Sequence, residues 1–61
     1  MFREVNITDS RTVYLNREAI AIIENGDGGR AYIRLVDGTE FQTNEDYEEF
    51  LDLFGIVKSA Q

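Results

Sequence analysis

The chain has 61 residues, twelve of them acidic and six basic, for a net charge of −6, and it contains no cysteine, histidine or proline. That length is one domain, close to the lower limit for a core without staples. The missing cysteine and histidine exclude a disulfide framework and a thiolate metal site, and remove the usual thiol nucleophile and general base. At 43% hydrophobic residues, with three tyrosines and four phenylalanines, it is too apolar for a disordered acidic tail. No apolar run reaches membrane-span length, and neither end carries a leader or lipidation pattern. A cytoplasmic protein with no membrane association is expected.

Taken in chain order, residues 2–8 place Val5 and Ile7 two apart, the strand period. Asp9, Ser10 and Arg11 break the pattern as a turn, because short polar side chains bond the local backbone. Residues 12–16 alternate again, with Val13 and Leu15 on one face and Thr12, Tyr14 and Asn16 on the other. Asn16, Arg17 and Glu18 read as a short turn or a single helical loop. Residues 19–24 are apolar at both parities, which predicts a central strand covered on both sides. A helix starting at Asn16 is the rival reading, and the three isoleucines favour the strand.

Asn25, Gly26, Asp27, Gly28 and Gly29 form the strongest turn signal, since these residues tolerate the positive backbone angles that hairpins use. Residues 30–36 then alternate, with Ala31, Ile33 and Leu35 inward and Arg30, Tyr32 and Arg34 outward. Asp37 and Gly38 mark a second hairpin into residues 39–43. Residues 44–54 read as a helix capped by Thr43 or Asn44, with Glu45 and Asp46 in its first turn. Tyr47, Phe50, Leu51 and Phe54 fall on one face of a 3.6-residue period, and Gly55 followed by Ile56 forms a left-handed terminator. The expected fold is α+β and mostly β. It is one domain over residues 1–61, a small bent antiparallel sheet or partly open SH3-like barrel of four or five strands. The C-terminal amphipathic helix closes it, and a short tail spans 56–61.

Chemistry is sparse. Ser10 and Ser59 lack a base at a recognisable spacing, and a domain this small rarely builds the cleft that a carboxylate pair needs. The segment 25–29 lacks the lysine and following helix of a phosphate loop, and Asp27 lacks the ligand pattern of a calcium loop. No enzyme activity, cofactor or metal is expected.

Charge points further. Residues 37–54 hold seven of the twelve acidic side chains and no basic one, whereas residues 1–36 carry five of each sign. Glu45, Glu48, Glu49 and Asp52 share a helical spacing opposite the aromatic stripe. One reading is a solvated face. Two costs oppose it: like charges four apart destabilise a helix by a few tenths of a kcal/mol, roughly 0.2–0.5 per pair, and Asp52 sits where the dipole prefers a cation. The functional reading is an acidic stripe that docks on the basic surface of another protein, with Leu53 as an apolar contact at its edge. A second surface, Tyr14, Arg30, Tyr32 and Arg34, has the aromatic–arginine chemistry of single-strand nucleic-acid binding, although the net charge opposes phosphate. A third reading is homo-oligomerisation through sheet edges that no proline blunts. Conformational entropy of roughly 1.5 kcal/mol per residue nearly cancels what so small a core supplies, which favours assembly.

Tyr14-Leu15-Asn16, Glu18, Ile20, Ile23-Glu24, Ile33-Arg34-Leu35, Asp37-Gly38 and Phe41 together resemble the FlbD/SwrD type of very short proteins associated with flagellar operons. The pattern covers about two-thirds of the chain and is also similar to LytTR-type sheets and to small phage proteins. The insertion at 25–29 and the acidic aromatic helix depart from the flagellar pattern. The resemblance implies a bacterial or phage accessory or regulatory protein without enzymatic activity, and it assigns no functional residue.

Overall fold

Alternating side chains resolve into five short strands in the computed structural model, which describes residues 2–57: β1 (Phe2–Ile7), β2 (Arg11–Asn16), β3 (Ile20–Asn25), β4 (Arg30–Leu35) and β5 (Glu40–Asp46). One helix follows, α1 (Tyr47–Leu53). The fold is α+β and mostly β. Within the expected tail 56–61, residues 58–61 lie outside the described ones, Ser59 among them. Single 3₁₀ turns at Thr8–Ser10, Arg17–Ala19 and Asp27–Gly29 link the first four strands.

All strand neighbours are antiparallel, in the order β2-β1-β5-β4-β3. Chain-adjacent strands therefore pair except β2 and β3, which form the two edges of an open sheet. The open-sheet alternative holds, rather than a closed barrel. The central-strand expectation for residues 19–24 does not: β3 is an edge strand with Ala21 and Ile22 exposed and Ile20 and Ile23 half-buried. Isoleucine at both parities reflects β-propensity and a bulge at Ala21, where the register against β4 shifts, rather than two covered faces.

Inward positions supply the core. Val5, Ile7, Leu15, Ala31 and Ile33 line the concave side of the sheet, and Phe50 and Leu51 of α1, with Phe54 just past its end, close over it. Phe50 and Phe54 pack with ring centroids 4.9 Å apart and planes tilted by 40°, a favourable aromatic geometry. A seven-residue helix has no stability of its own, so this aromatic face keeps it folded.

The helix begins later than expected. Residues 44–46 belong to β5, and Asp46 is the cap: its Oδ2 accepts from the backbone N–H of Glu48 at 3.1 Å and of Glu49 at 3.2 Å. Thr43 and Asn44 do not cap, and Glu45 and Asp46 precede the first turn. Tertiary pairing explains the delay. Arg30 opposes Asp46, and the Arg30 guanidinium donates to the backbone carbonyl and side-chain oxygen of Asn44. Both hold the segment extended. The predicted terminator is present, with Gly55 at φ 66°, its N–H bonded to Asp52 O and that of Ile56 bonded to Leu51 O.

The turns follow the residues expected of them, with one difference at Gly26. Positive φ falls on Gly28 and Gly29, while Gly26 is needed for close approach: a Cβ there would meet Arg30 O and Gln42 Oε1 at 3.0 Å.

The sheet bends at a wide bulge in β5. Tyr32 faces Gln42 and Arg30 faces Asp46, so Thr43, Asn44 and Glu45 together oppose Ala31. Thr43 also pairs with Ile7, the one register position joining β1 to β5. Thr43 is 1% exposed, and its hydroxyl donates to Ala31 O at 2.7 Å and accepts from Glu45 N at 3.2 Å. Gln42 Nε2 donates to Ala31 O and Arg30 O. Side chains thus replace the ladder bonds that the bulge removes, and no buried side-chain polar atom among the described residues lacks a partner. Thr43→Val keeps the volume, removes the hydroxyl partner of Glu45 N–H and leaves Ala31 O with the Gln42 bond. It should lower stability by about 1–3 kcal/mol while Thr43→Ser costs less, as urea melts will report; equal midpoints for wild type and Thr43→Val would refute the assignment.

Candidate functional site

Glu48, Glu49 and Asp52 occupy exposed positions of α1, because the buried face of the helix is taken by Phe50, Leu51 and Phe54. Among the described residues no ion pair holds Glu49 or Asp52. Glu45 separates from this group. It lies half-buried in β5, and its Oε2 accepts from the backbone N–H of Asn6 at 2.9 Å, extending the short β1–β5 pairing with a carboxylate. Leu53 is half-buried against the core and lines a surface compartment beside Asp52. Of the five residues expected to form one contact surface, Glu48, Glu49, Asp52 and Leu53 lie on α1 and Glu45 lies on β5.

Sequence reasoning did not single out the groove on the open side of the sheet. Its larger compartment, about 350 Å³, is lined by Arg17, Ile20, Ala21, Ile23, Leu51 and Ile56. Arg17 also lines a neighbouring compartment of about 170 Å³, together with Arg3, Asp52 and the C-terminal end of α1. Arg3 reaches this place because odd-numbered residues of β1 face the concave side. Alternation was the available signal: Arg3 shares the parity of Val5 and Ile7.

The outer face of β4 carries Arg30, Tyr32 and Arg34, as predicted, but Tyr14 lies on β2, with β1 and β5 between. Tyr14 is 66% exposed. The β4 side chains are engaged within the molecule. Glu40, directly across from Arg34, accepts from the Tyr32 hydroxyl at 2.7 Å through Oε1 and from Arg34 Nε at 3.0 Å through Oε2, and Arg34 Nη2 completes an ion pair at 3.0 Å. Arg30 is held by Asn44. A stacking platform for bases would have to give up these bonds.

The Glu40 carboxyl is held below the usual glutamate range, first by the Tyr32 hydrogen bond and then by the Arg34 charge. Tyr32 is raised above the ordinary 10.0, chiefly by the same bond, since ionising the hydroxyl would remove the donor and set two negative charges together. Asp37 is lowered, mainly by hydrogen bonding from Thr39, whose backbone N–H lies 2.9 Å from Oδ1. These groups are exposed, so their linkage is worth little energy in water.

Among the described residues no group of three or more histidine, cysteine or carboxylate side chains is placed to hold a metal ion, and no helix is long and apolar enough to cross a membrane. Comparison with protein-family models, with curated proteins and with solved structures finds no match.

The Glu40–Tyr32–Arg34 cluster has a definite pH signature. Because Glu40 is depressed in the folded state, its contribution is present above the unfolded glutamate value and lost as pH falls through the lower folded value. Because Tyr32 is raised, its contribution is present below 10.0 and lost as pH climbs through the higher folded value. Tyr32 should therefore titrate above 10.0 in an NMR experiment on ring-labelled tyrosine, and Glu40→Gln should move it back toward 10.0. A Tyr32 titration that ignores the substitution would show that the bond does not persist in solution.

Proposed function

We propose that the chain is a non-catalytic interaction module that binds another protein through the exposed carboxylates of α1. The observation that carries this reading is the position of Glu48, Glu49 and Asp52 on the solvent side of a helix whose opposite face is sealed. The concentration of acidic side chains in residues 37–54 supports it further, because a one-sided field steers association with a basic partner. Glu45 is left out of the contact, since it serves β1, and Leu53 stays at its edge beside Asp52. The resemblance to FlbD/SwrD-type proteins is compatible with a regulatory or accessory role of this kind, in the cytoplasm of a bacterium or encoded by a phage.

The test compares capture by immobilised wild-type and variant protein from bacterial lysate, eluted with a salt gradient. Exposed charge contacts are screened within about 10 Å at 0.1 M salt, so a specific basic partner should leave at moderate ionic strength. Glu48→Lys combined with Glu49→Lys should abolish that capture with the circular dichroism spectrum unchanged. The Asp46 cap remains in the double variant, and lysines in the first turn cost only about 0.3–1 kcal/mol each. Equal retention of the same proteins by wild type and variant would remove the helix face from consideration.

A further inference from the structure

Apolar walls and two unengaged cations meet in the groove on the open side of the sheet. We propose that this groove binds a medium-chain aliphatic carboxylate, its head group between Arg3 and Arg17 and its chain along Ile20, Ile23, Leu51 and Ile56.

Charge complementarity places the head group. Arg3 and Arg17 converge because β1 and β2 are antiparallel neighbours: the register pairs Phe2 with Asn16 and Arg3 with Leu15, so Arg17 leaves β2 beside the start of β1. Both arginines line the smaller compartment, and Arg17 also lines the larger. Among the described residues neither has a hydrogen-bond or ion-pair partner, whereas Arg30 is held by Asn44 and Arg34 by Glu40. Asp52 lines the smaller compartment too, without an ion pair to either arginine, and Glu18, next to Arg17 in the chain, lines neither compartment. Two positive charges against one leave this end of the groove cationic in a chain of net charge −6. A carboxylate is the group that guanidinium N–H donors recognise in pairs.

The larger compartment dictates the rest of the ligand. Apart from Arg17 its lining is Ile20, Ala21, Ile23, Leu51 and Ile56, with no other charged side chain. A second polar group at the far end of the ligand would lose water there without gaining a side-chain partner, so the tail is aliphatic. Ile20, Ile23 and Ile56 are only half-buried, because β3 is an edge strand and no further strand closes that side. Compartments of about 350 and 170 Å³, meeting at Arg17, together fall within the roughly 300–1,000 Å³ of small-molecule sites.

Titrating the full chain with hexanoate, octanoate and decanoate, followed by amide NMR shifts, should give saturable changes around Arg17, Ile20, Ile23, Leu51 and Ile56. Affinity should rise about two- to fourfold with each added methylene, and acetate should leave these amides unmoved. Arg3→Gln combined with Arg17→Gln, both at exposed positions, should weaken decanoate binding roughly tenfold, and Asp52→Asn should strengthen it. The proposal is overturned by the absence of a saturable change, by a series without a chain-length trend, or by an equal response to decyltrimethylammonium. It is overturned as well if the double arginine variant binds like wild type or Asp52→Asn weakens binding. Shifts at the same residues that grow with protein concentration alone would assign the groove to a second copy instead. Glu48 and Glu49 line neither compartment and no protein partner enters the measurement, so failure here and failure of the helix-face reading are separate results.

Discussion

The hydroxyl of Thr43 sits in the bulge of β5, at the register position where the strand meets β1 while it still follows β4 on either side, and the shape of the domain depends on that junction. A regular β5 would continue along β4 with the ordinary twist of a sheet and without this local bend. The three-residue bulge turns the strand, and turning it takes backbone groups out of the ladder within a dry core. Leaving a buried carbonyl unpaired costs about 1–3 kcal/mol, and total stability for a chain of this length is of the order of 3–9 kcal/mol. The bulge is tolerable only because Thr43 and Gln42 bond Ala31 O, while Thr43 also accepts from Glu45 N.

From that bend the rest follows mechanically. The concave side it creates is where Val5, Ile7, Leu15 and Ile33 converge, and α1 is the only helix among the described residues that covers it. Arg30 reaches the bulge from the neighbouring strand, Glu45 reaches back to β1, and Asp46 caps the helix. Four consecutive residues, Thr43 to Asp46, thus serve the core, an arginine clamp, the β1 edge and the helix start. Two of the acidic residues in the charged segment are structural for this reason.

The remaining acidic side chains divide in the same way. Glu40 neutralises Arg34 and orders Tyr32, and Asp37 closes a turn through Thr39. Glu48, Glu49 and Asp52 are exposed on α1. Among the exposed large apolar side chains Ile22 lies on β3, which has β4 as its one neighbour, while Phe2, Tyr14, Val36 and Val57 lie elsewhere. Exposed negative charge is thus concentrated on α1, whereas exposed apolar side chains are spread over several elements.

Local order is legible in the chain itself. Period-two alternation marks the strands, Asp37-Gly38 and the 25–29 segment mark the hairpins, and Phe50, Leu51 and Phe54 with Gly55 mark the helix and its end. Each of these is set by contacts between residues a few positions apart, where steric and hydrogen-bonding preferences act without help from the rest of the molecule. Strand order, the bulge at Thr43, the late start of α1, the edge position of β3 and the in-house pairing of Glu40 and Glu45 were decided only in the tertiary structure. All of these depend on which distant backbone reaches a residue first: Asn6 meets Glu45 thirty-nine positions away, and a helix-compatible stretch at 44–46 stays extended because Arg30 holds it. Composition and periodicity determine which side chains must be buried; only the assembled sheet determines which polar ones are spent in doing so.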